Sequence, residues 1–315
     1  MQTITSFFRL VRWRNLFFIA LTQWLFYFIV VRSLQFFPFS IHPSRHVLFY
    51  LLMLASVLIA AGGYIINDYF DLQIDSINKP EKVVVDRTVK RRWVIVWHLI
   101  FSGIGLLLSL YISYRTGYWV IGIVNFFCIF LLWFYSTHFK RQLLIGNLVI
   151  SALTAWVIMV VYFFAGAGLL NYNGWHEGQY NLDVRKLYQL TAIYAGFAFI
   201  ISLVREVVKD LEDMYGDSQY HCQTMPIVWG VPVSKMFAAV WVVVCCAALL
   251  VMQFYMWQLG SWAEAIYTIL LVIVPMVIAL RLIYHAKFPA DFHKLSNIFK
   301  LIMFTGILSM IFFLK

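Results

Sequence analysis

Two acidic stretches carry the residues whose types and spacing could do chemistry. Asn67-Asp68-Tyr69-Phe70-Asp71-Leu72-Gln73-Ile74-Asp75 stands directly after a long apolar run, and Lys209-Asp210-Leu211-Glu212-Asp213-Met214-Tyr215-Gly216-Asp217 follows another 142 residues later. Both contain Asp-x2-Asp-x3-Asp. On a helix, steps of three and seven residues return to within roughly 60° of the starting direction, so each stretch should line three carboxylates along one stripe. Glu206 extends the second stripe back by one turn, while Glu212 points off it and is expected to be solvated. Ten of the fourteen acidic residues fall in or beside these two stretches, which argues against carboxylates scattered simply for solubility.

Like charges packed this closely repel, so a cation belongs among them. The donors are oxygens, which suits magnesium; that ion uses one or two carboxylates, keeps several waters and takes its other ligands from substrate phosphates. Two such clusters can hold two or three ions and bind a diphosphate that each alone would repel. Lys79, Lys82, Lys140, Arg141, Arg205 and Lys209 are placed to complete the neutralisation. A diphosphate neutralised in this way becomes a good leaving group. If the chain it leaves is allylic, the result is a delocalised carbocation for an acceptor to capture.

The elements that must position these residues are membrane helices. The 315 residues are 63% hydrophobic and 12% charged with mean hydropathy +0.82, which excludes a soluble domain of this size. Nine runs approach the roughly 20 apolar residues that cross a bilayer. They lie near 16–31, 47–67, 93–113, 117–135, 143–165, 187–208, 234–254, 262–284 and 296–314. Helices are the only spanning form open to them, since an open strand would leave backbone groups unpaired in lipid. The arginines before the first run resemble a signal-peptide start, but no small-residue cleavage site follows, so it is expected to be a retained helix.

With the N-terminus inside, eighteen of the 24 basic residues fall on the inner side and six outside. That asymmetry predicts a multi-pass protein of the cell membrane with a cytoplasmic N-terminus and an outer C-terminus. Both acidic stretches then lie on the cytoplasmic side, after spans two and six. The even separation suggests two four-helix repeats, about 1–142 and 143–285, plus a ninth helix at about 296–314. The formal charge of +10 reads as topology and lipid-headgroup contact, not as nucleic-acid binding. Cys128, Cys222, Cys245 and Cys246 have neither disulfide nor zinc spacing.

On these residues the chain resembles the UbiA superfamily of intramembrane prenyltransferases. That family has nine helices, Asn-Asp-x2-Asp-x3-Asp after helix 2 and a second Asp-rich motif after helix 6. The resemblance covers essentially the whole chain; Tyr135-Ser136, Lys140-Arg141 and Gly146-Asn147 also look like family positions. It implies that Asn67, Asp68, Asp71, Asp75, Asp210, Asp213 and Asp217 hold magnesium, with Asp71, Asp75, Asp213 and Asp217 as the catalytic carboxylates. It further implies that Asn67 and the six cations named above bind the prenyl diphosphate, next to a lipid-soluble or phosphorylated acceptor. The motif sequences are most similar to the digeranylgeranylglyceryl phosphate synthase branch, whose acceptor is a prenylated glycerol phosphate; an aromatic quinone precursor is the alternative. One stretch departs from the family. Where it usually has Arg-Pro-Leu/Ile and then a Ser-Gly turn, this chain has Lys82-Val83-Val84-Val85-Asp86-Arg87, losing a rigid and a permissive residue in a loop expected to help cover the site.

Two rivals come from other classes. A cation-coupled transporter would also carry paired acidic repeats, but usually near the bilayer midplane on broken helices, not at helix ends flanked by Arg and Lys. A CDP-alcohol phosphotransferase would need an Asp-Gly-x2-Ala-Arg block, which the sequence lacks.

Overall fold

The computed structural model describes residues 2–34, 43–80, 83–86, 89–170, 183–258 and 260–314. Among these, nine helices are long and apolar enough to cross a membrane, one for each expected span. The chain is an all-α, multi-pass membrane protein.

In order, the helices are α1 (Gln2–Leu10), α2 (Trp13–Leu25, continued by a π turn over Phe26–Val31), α3 (Pro43–Phe70) and α4 (Leu72–Asn78). They continue with α5 (Arg91–Thr116), α6 (Val120–Thr137), α7 (Ile145–Leu170), α8 (Val184–Gln219) and α9 (Met225–Val228). The last are α10 (Gly230–Gln258), α11 (Trp262–Thr268, continued by a π turn over Ile269–Ile273), α12 (Val274–His285) and α13 (Pro289–Leu308). Two compact units divide the chain: residues 1–139 with 156–193, and residues 140–155 with 194–315.

In the first unit, α3 lies against α5 closely enough that a methyl group on Gly62 would stand 2.5 Å from Ser102 Oγ. Apolar attraction between helices is weak in lipid, so small residues that let backbones approach and side-chain hydrogen bonds do the joining. Trp156 Nε1 donates to Asn125 Oδ1 at 2.8 Å, and Asn125 Nδ2 donates to Ser109 Oγ at 2.8 Å, linking α7, α6 and α5. Gln23 Nε2 donates to Ser56 Oγ at 2.9 Å and to the Val157 carbonyl at 3.1 Å, tying α2 to α3 and α7. The end of this unit that carries the first acidic stretch has its own small core of Leu10, Val11, Ala61, Ile65, Val84, Val85 and Val94.

In the second unit, α8, α10, α12 and α13 enclose a larger core that includes Val204, Met225, Val242, Met276, Phe292 and Phe299. Pro275 cannot give a backbone N–H to the Leu271 carbonyl, and Thr305 Oγ1 on α13 donates to it instead at 2.8 Å. Helix α13 begins well before the apolar run at 296. Pro289 supplies a pre-set first-turn conformation, and Asp291 Oδ2 accepts the Lys287 and Phe288 backbone N–H groups at 3.0 and 3.1 Å.

Candidate active site

The first acidic stretch sits where α3 gives way to α4. The backbone turns there without losing helical hydrogen bonding: Asp71 N–H donates to the Asn67 carbonyl at 2.9 Å and Asp75 N–H to the Asp71 carbonyl at 2.8 Å. Asn67, Asp68, Asp71 and Asp75 therefore keep the spacing that the sequence implies. Asp71 is 3% exposed and Asn67 8%. Asn67 Nδ2 donates to Asp71 Oδ2, while Asn67 Oδ1 is buried with no hydrogen-bond partner among the described residues. A buried amide oxygen left unmatched costs free energy comparable to a lost hydrogen bond unless something outside the protein meets it.

Asp68 is met by Arg12, whose Nη2 lies 2.6 Å from Asp68 Oδ1. Arg12 occupies the bend between α1 and α2 with φ 52°, and its guanidinium stands 5.1 Å from the centre of the Tyr64 ring. Partial burial works against its charge, but Asp68 first and Asp75 more weakly outweigh it, and its pKa lies above the ordinary arginine value. Sequence reasoning missed this residue because arginines before a first span read as topology signals; only the bend brings it to Asp68. Lys79 ends α4, and Lys82 lies outside the described residues.

Residues 83–86 of the altered loop, which contain neither proline nor glycine, are held from both sides. Asp86 takes the left-handed conformation, φ 61°, and aspartate is among the few residues with a side chain that visit it readily. Its N–H donates to the Val89 carbonyl at 2.9 Å and its carboxylate pairs with Arg91 Nε at 2.6 Å. Val84 and Val85 are buried against Leu10 and Val11, so the valines that replace the family pattern pin the loop to the N-terminal segment.

The second stretch lies on one unbroken helix. Asp210, Asp213 and Asp217 repeat along α8, with Glu206 one turn earlier; Glu206 and Asp217 are buried. Arg205 Nη1 is 2.9 Å from Glu206 Oε1 and Lys209 Nζ is 2.8 Å from Glu206 Oε2, so two expected diphosphate ligands share one carboxylate. Asn147 on α7, noted in the sequence only as a family-like position, donates to Asp210 Oδ2 at 2.7 Å. Lys140 and Arg141 form a short 3-10 turn ahead of α7, where the Arg141 carbonyl accepts the Gln223 N–H at 2.8 Å. Glu212 corrects an expectation. Only 9% of its side chain is exposed, and it meets His293 Nδ1 of α13 at 3.0 Å instead of standing in solvent.

Among the described residues, no three His, Cys, Asp or Glu side chains converge as a ready-made metal centre. The carboxylates instead run along α3 and α4 and along α8, with Asp68 met by Arg12, Asp71 by Asn67, Glu206 by Arg205 and Lys209, and Asp210 by Asn147. The donor chemistry still suits magnesium, which needs only one or two protein carboxylates per ion, and the unmatched Asn67 Oδ1 beside Asp71 is an oxygen of the right kind.

The sequence profile of the UbiA prenyltransferase family matches residues 24–304. The chain belongs to that family. It is an enzyme that transfers prenyl groups, and family membership sets aside the transporter and phosphotransferase readings. Among curated relatives, the digeranylgeranylglyceryl phosphate synthase of Methanosphaera stadtmanae is 27% identical over 80% of this chain and 83% of its own length. Further archaeal relatives of that name match over 57–64% of their own length. A solved digeranylgeranylglyceryl phosphate synthase superposes with TM-score 0.63 at 23% identity, covering 99% of this chain and 98% of that one. A UbiA homologue from Archaeoglobus fulgidus, solved with GPP and Mg2+, gives TM-score 0.58 at 14% identity over 97% of this chain and 99% of that one. At these identities the superpositions establish the prenyltransferase fold and nothing finer.

Proposed function

We propose that this prenyltransferase takes a prenyl diphosphate as donor and a prenylated glycerol phosphate as acceptor, making an ether-lipid precursor. The donor side rests on one observation: the buried, unmatched Asn67 Oδ1 next to Asp71, in a chain whose other acidic stretch repeats the same spacing. The names of the curated relatives support the acceptor.

In this reading Asn67, Asp68, Asp71 and Asp75 of the first stretch, and Asp210, Asp213 and Asp217 of the second, would hold magnesium. When bound, the ion screens the diphosphate charge and makes it a better leaving group. The chain's own residues do the rest. Asn67 orients Asp71 through its amide, Asn147 orients Asp210, and Glu206 keeps Arg205 and Lys209 in place near the second stretch. Arg205, Lys209, Lys140, Arg141, Lys79 and Lys82 supply positive charge for the diphosphate and for whatever charge grows on it as the carbon–oxygen bond breaks. The acceptor hydroxyl then forms the new carbon–oxygen bond and releases its proton, with diphosphate leaving on the electron pair of the broken bond.

We also infer that the enzyme lies in the cell membrane with its N-terminus and active site on the cytoplasmic side and its C-terminus outside, on the strength of the basic-residue asymmetry. The duplicated acidic motif supports two four-helix repeats with a ninth helix.

Purified protein in detergent, given Mg2+ and geranylgeranyl diphosphate with a panel of acceptors, tests the reading. Transfer to geranylgeranylglyceryl phosphate is expected. Transfer confined to hydroxybenzoate or naphthoate acceptors would overturn the acceptor assignment. Asp71→Ala and Asp213→Ala are expected to remain folded and lose turnover; retained turnover in both would overturn the site.

A further inference from the structure

We propose that Arg12 is a substrate-phosphate ligand of this enzyme, and that its ion pair with Asp68 aims it. The inference builds on the reading above, in which the first acidic stretch serves a phosphorylated substrate.

Four observations carry it. The guanidinium lies 2.6 Å from Asp68, directly on the first acidic stretch. One of its five N–H groups is spent on that carboxylate, and the others make no hydrogen bond to any described residue. Its side chain is 35% exposed, so those donors are not sealed in the core. Its place is also over-determined. Leu10 and Val11, at 1% and 5% exposure, anchor the bend from within the core shared with Val84 and Val85, Tyr64 stacks beneath the guanidinium, and the backbone at Arg12 accepts a left-handed φ of 52°.

A non-glycine residue in that conformation is strained and persists only where surrounding packing enforces it. Here the result is a planar fork held on the Asp68 carboxylate, with most of its donors making no hydrogen bond to a described residue. Arginine in that setting is suited to phosphate oxygens, which its fork can take two at a time. Asp68 limits the fork's rotation, so a phosphate meets donors already oriented.

Two sources could supply the phosphate oxygen: the diphosphate of the prenyl donor, or the phosphate of a glycerol phosphate acceptor. The experiment separates them. Wild type, Arg12→Lys and Arg12→Gln are purified in detergent, and KM is measured for each substrate with the other saturating. Thermal unfolding is recorded with Mg2+ alone and with Mg2+ plus inorganic pyrophosphate. A charge-assisted bond lost from binding corresponds to roughly tenfold or more in affinity. Arg12→Gln is therefore expected to raise one KM by about tenfold with a smaller change in kcat. If the donor is the ligand, the pyrophosphate concentration for half-maximal stabilisation rises in step; if the acceptor is, it stays put and only the acceptor KM moves.

Arg12→Lys keeps the partner for Asp68 but loses the fork. It should melt like wild type without ligand and show an intermediate KM. Unchanged KM values for both substrates in both variants would overturn the proposal, even if Arg12→Gln melts lower, because that pattern is a purely structural ion pair. Asp71→Ala serves as the reference. If it too keeps full pyrophosphate stabilisation, the assignment of the first stretch fails; if it loses that stabilisation while both Arg12 variants keep wild-type KM values for both substrates, only the Arg12 inference falls.

Discussion

Replacing Asn67 by leucine separates what this side chain does for the fold from what it does for the reaction. Asn67 Nδ2 donates to the buried Asp71 carboxylate, a charge-assisted bond whose loss costs about 1.5–3 kcal/mol. Its Oδ1 is buried and unmatched, and removing such a group returns about 1–3 kcal/mol. Leucine has the same branched heavy-atom skeleton with somewhat larger ends, so no cavity opens. The two terms offset, and Asn67→Leu should unfold within about 2 kcal/mol of wild type in the presence of a chelator. Magnesium changes the comparison. At a concentration 100 times its Kd, the ion stabilises the wild type by about 2.7 kcal/mol. Losing a ligand or the group that orients one typically weakens metal binding by about 10- to 100-fold. At the hundredfold end the same magnesium stabilises the variant by only about 0.4 kcal/mol. Thermal unfolding in detergent, with and without Mg2+, reads both numbers on one sample, and the Mg2+ concentration for half-maximal turnover should rise by about the same factor as the Kd. A variant stabilised by magnesium as fully as wild type would show that Asn67 Oδ1 faces no metal.

Other positions give independent checks. Asn147→Leu removes the donor to Asp210 and should raise the Mg2+ concentration for half-maximal turnover by about tenfold or more, measured by titration into metal-free enzyme. Glu206→Gln leaves Arg205 and Lys209 without their shared counter-charge and is expected to destabilise the protein by about 3 kcal/mol, seen as a lowered melting midpoint. Gly62→Ala places a methyl 2.5 Å from Ser102 Oγ and should cost about 1–3 kcal/mol; Ser102→Ala in the same chain is expected to recover at least half. Without that recovery, the α3–α5 approach is not what the glycine permits.

Hydropathy makes the nine spans plain because crossing a bilayer demands long apolar runs, and each expected run became a helix. The ends were less legible, since helical hydrogen bonding does not stop where apolar residues do. Helix α8 runs on through Lys209 to Gln219, past the apolar run that ends near 208, although Asp210, Asp213, Tyr215, Gly216, Asp217 and Ser218 are weak helix formers. The acidic stripes were readable because spacing alone sets which residues share a helix face. Their partners were not. Arg12 reaches Asp68 across 56 residues and Asn147 reaches Asp210 across 63, through a bend and a helix pairing that no local pattern encodes. Glu212 was misjudged for the same reason, as its histidine comes from α13.

The length of α8 has a mechanical side. Thirty-six residues make a rod of about 54 Å, whereas the hydrocarbon layer is about 30 Å thick. The second set of carboxylates is therefore carried on the overhang of the same stiff shaft that is anchored in the lipid. A host bilayer of shorter acyl chains tilts such a shaft and shifts its overhang relative to the headgroups. Catalysis in reconstituted vesicles should accordingly pass through an optimum as acyl length is varied, with the lipid acting as a spacer that sets the working height of these carboxylates.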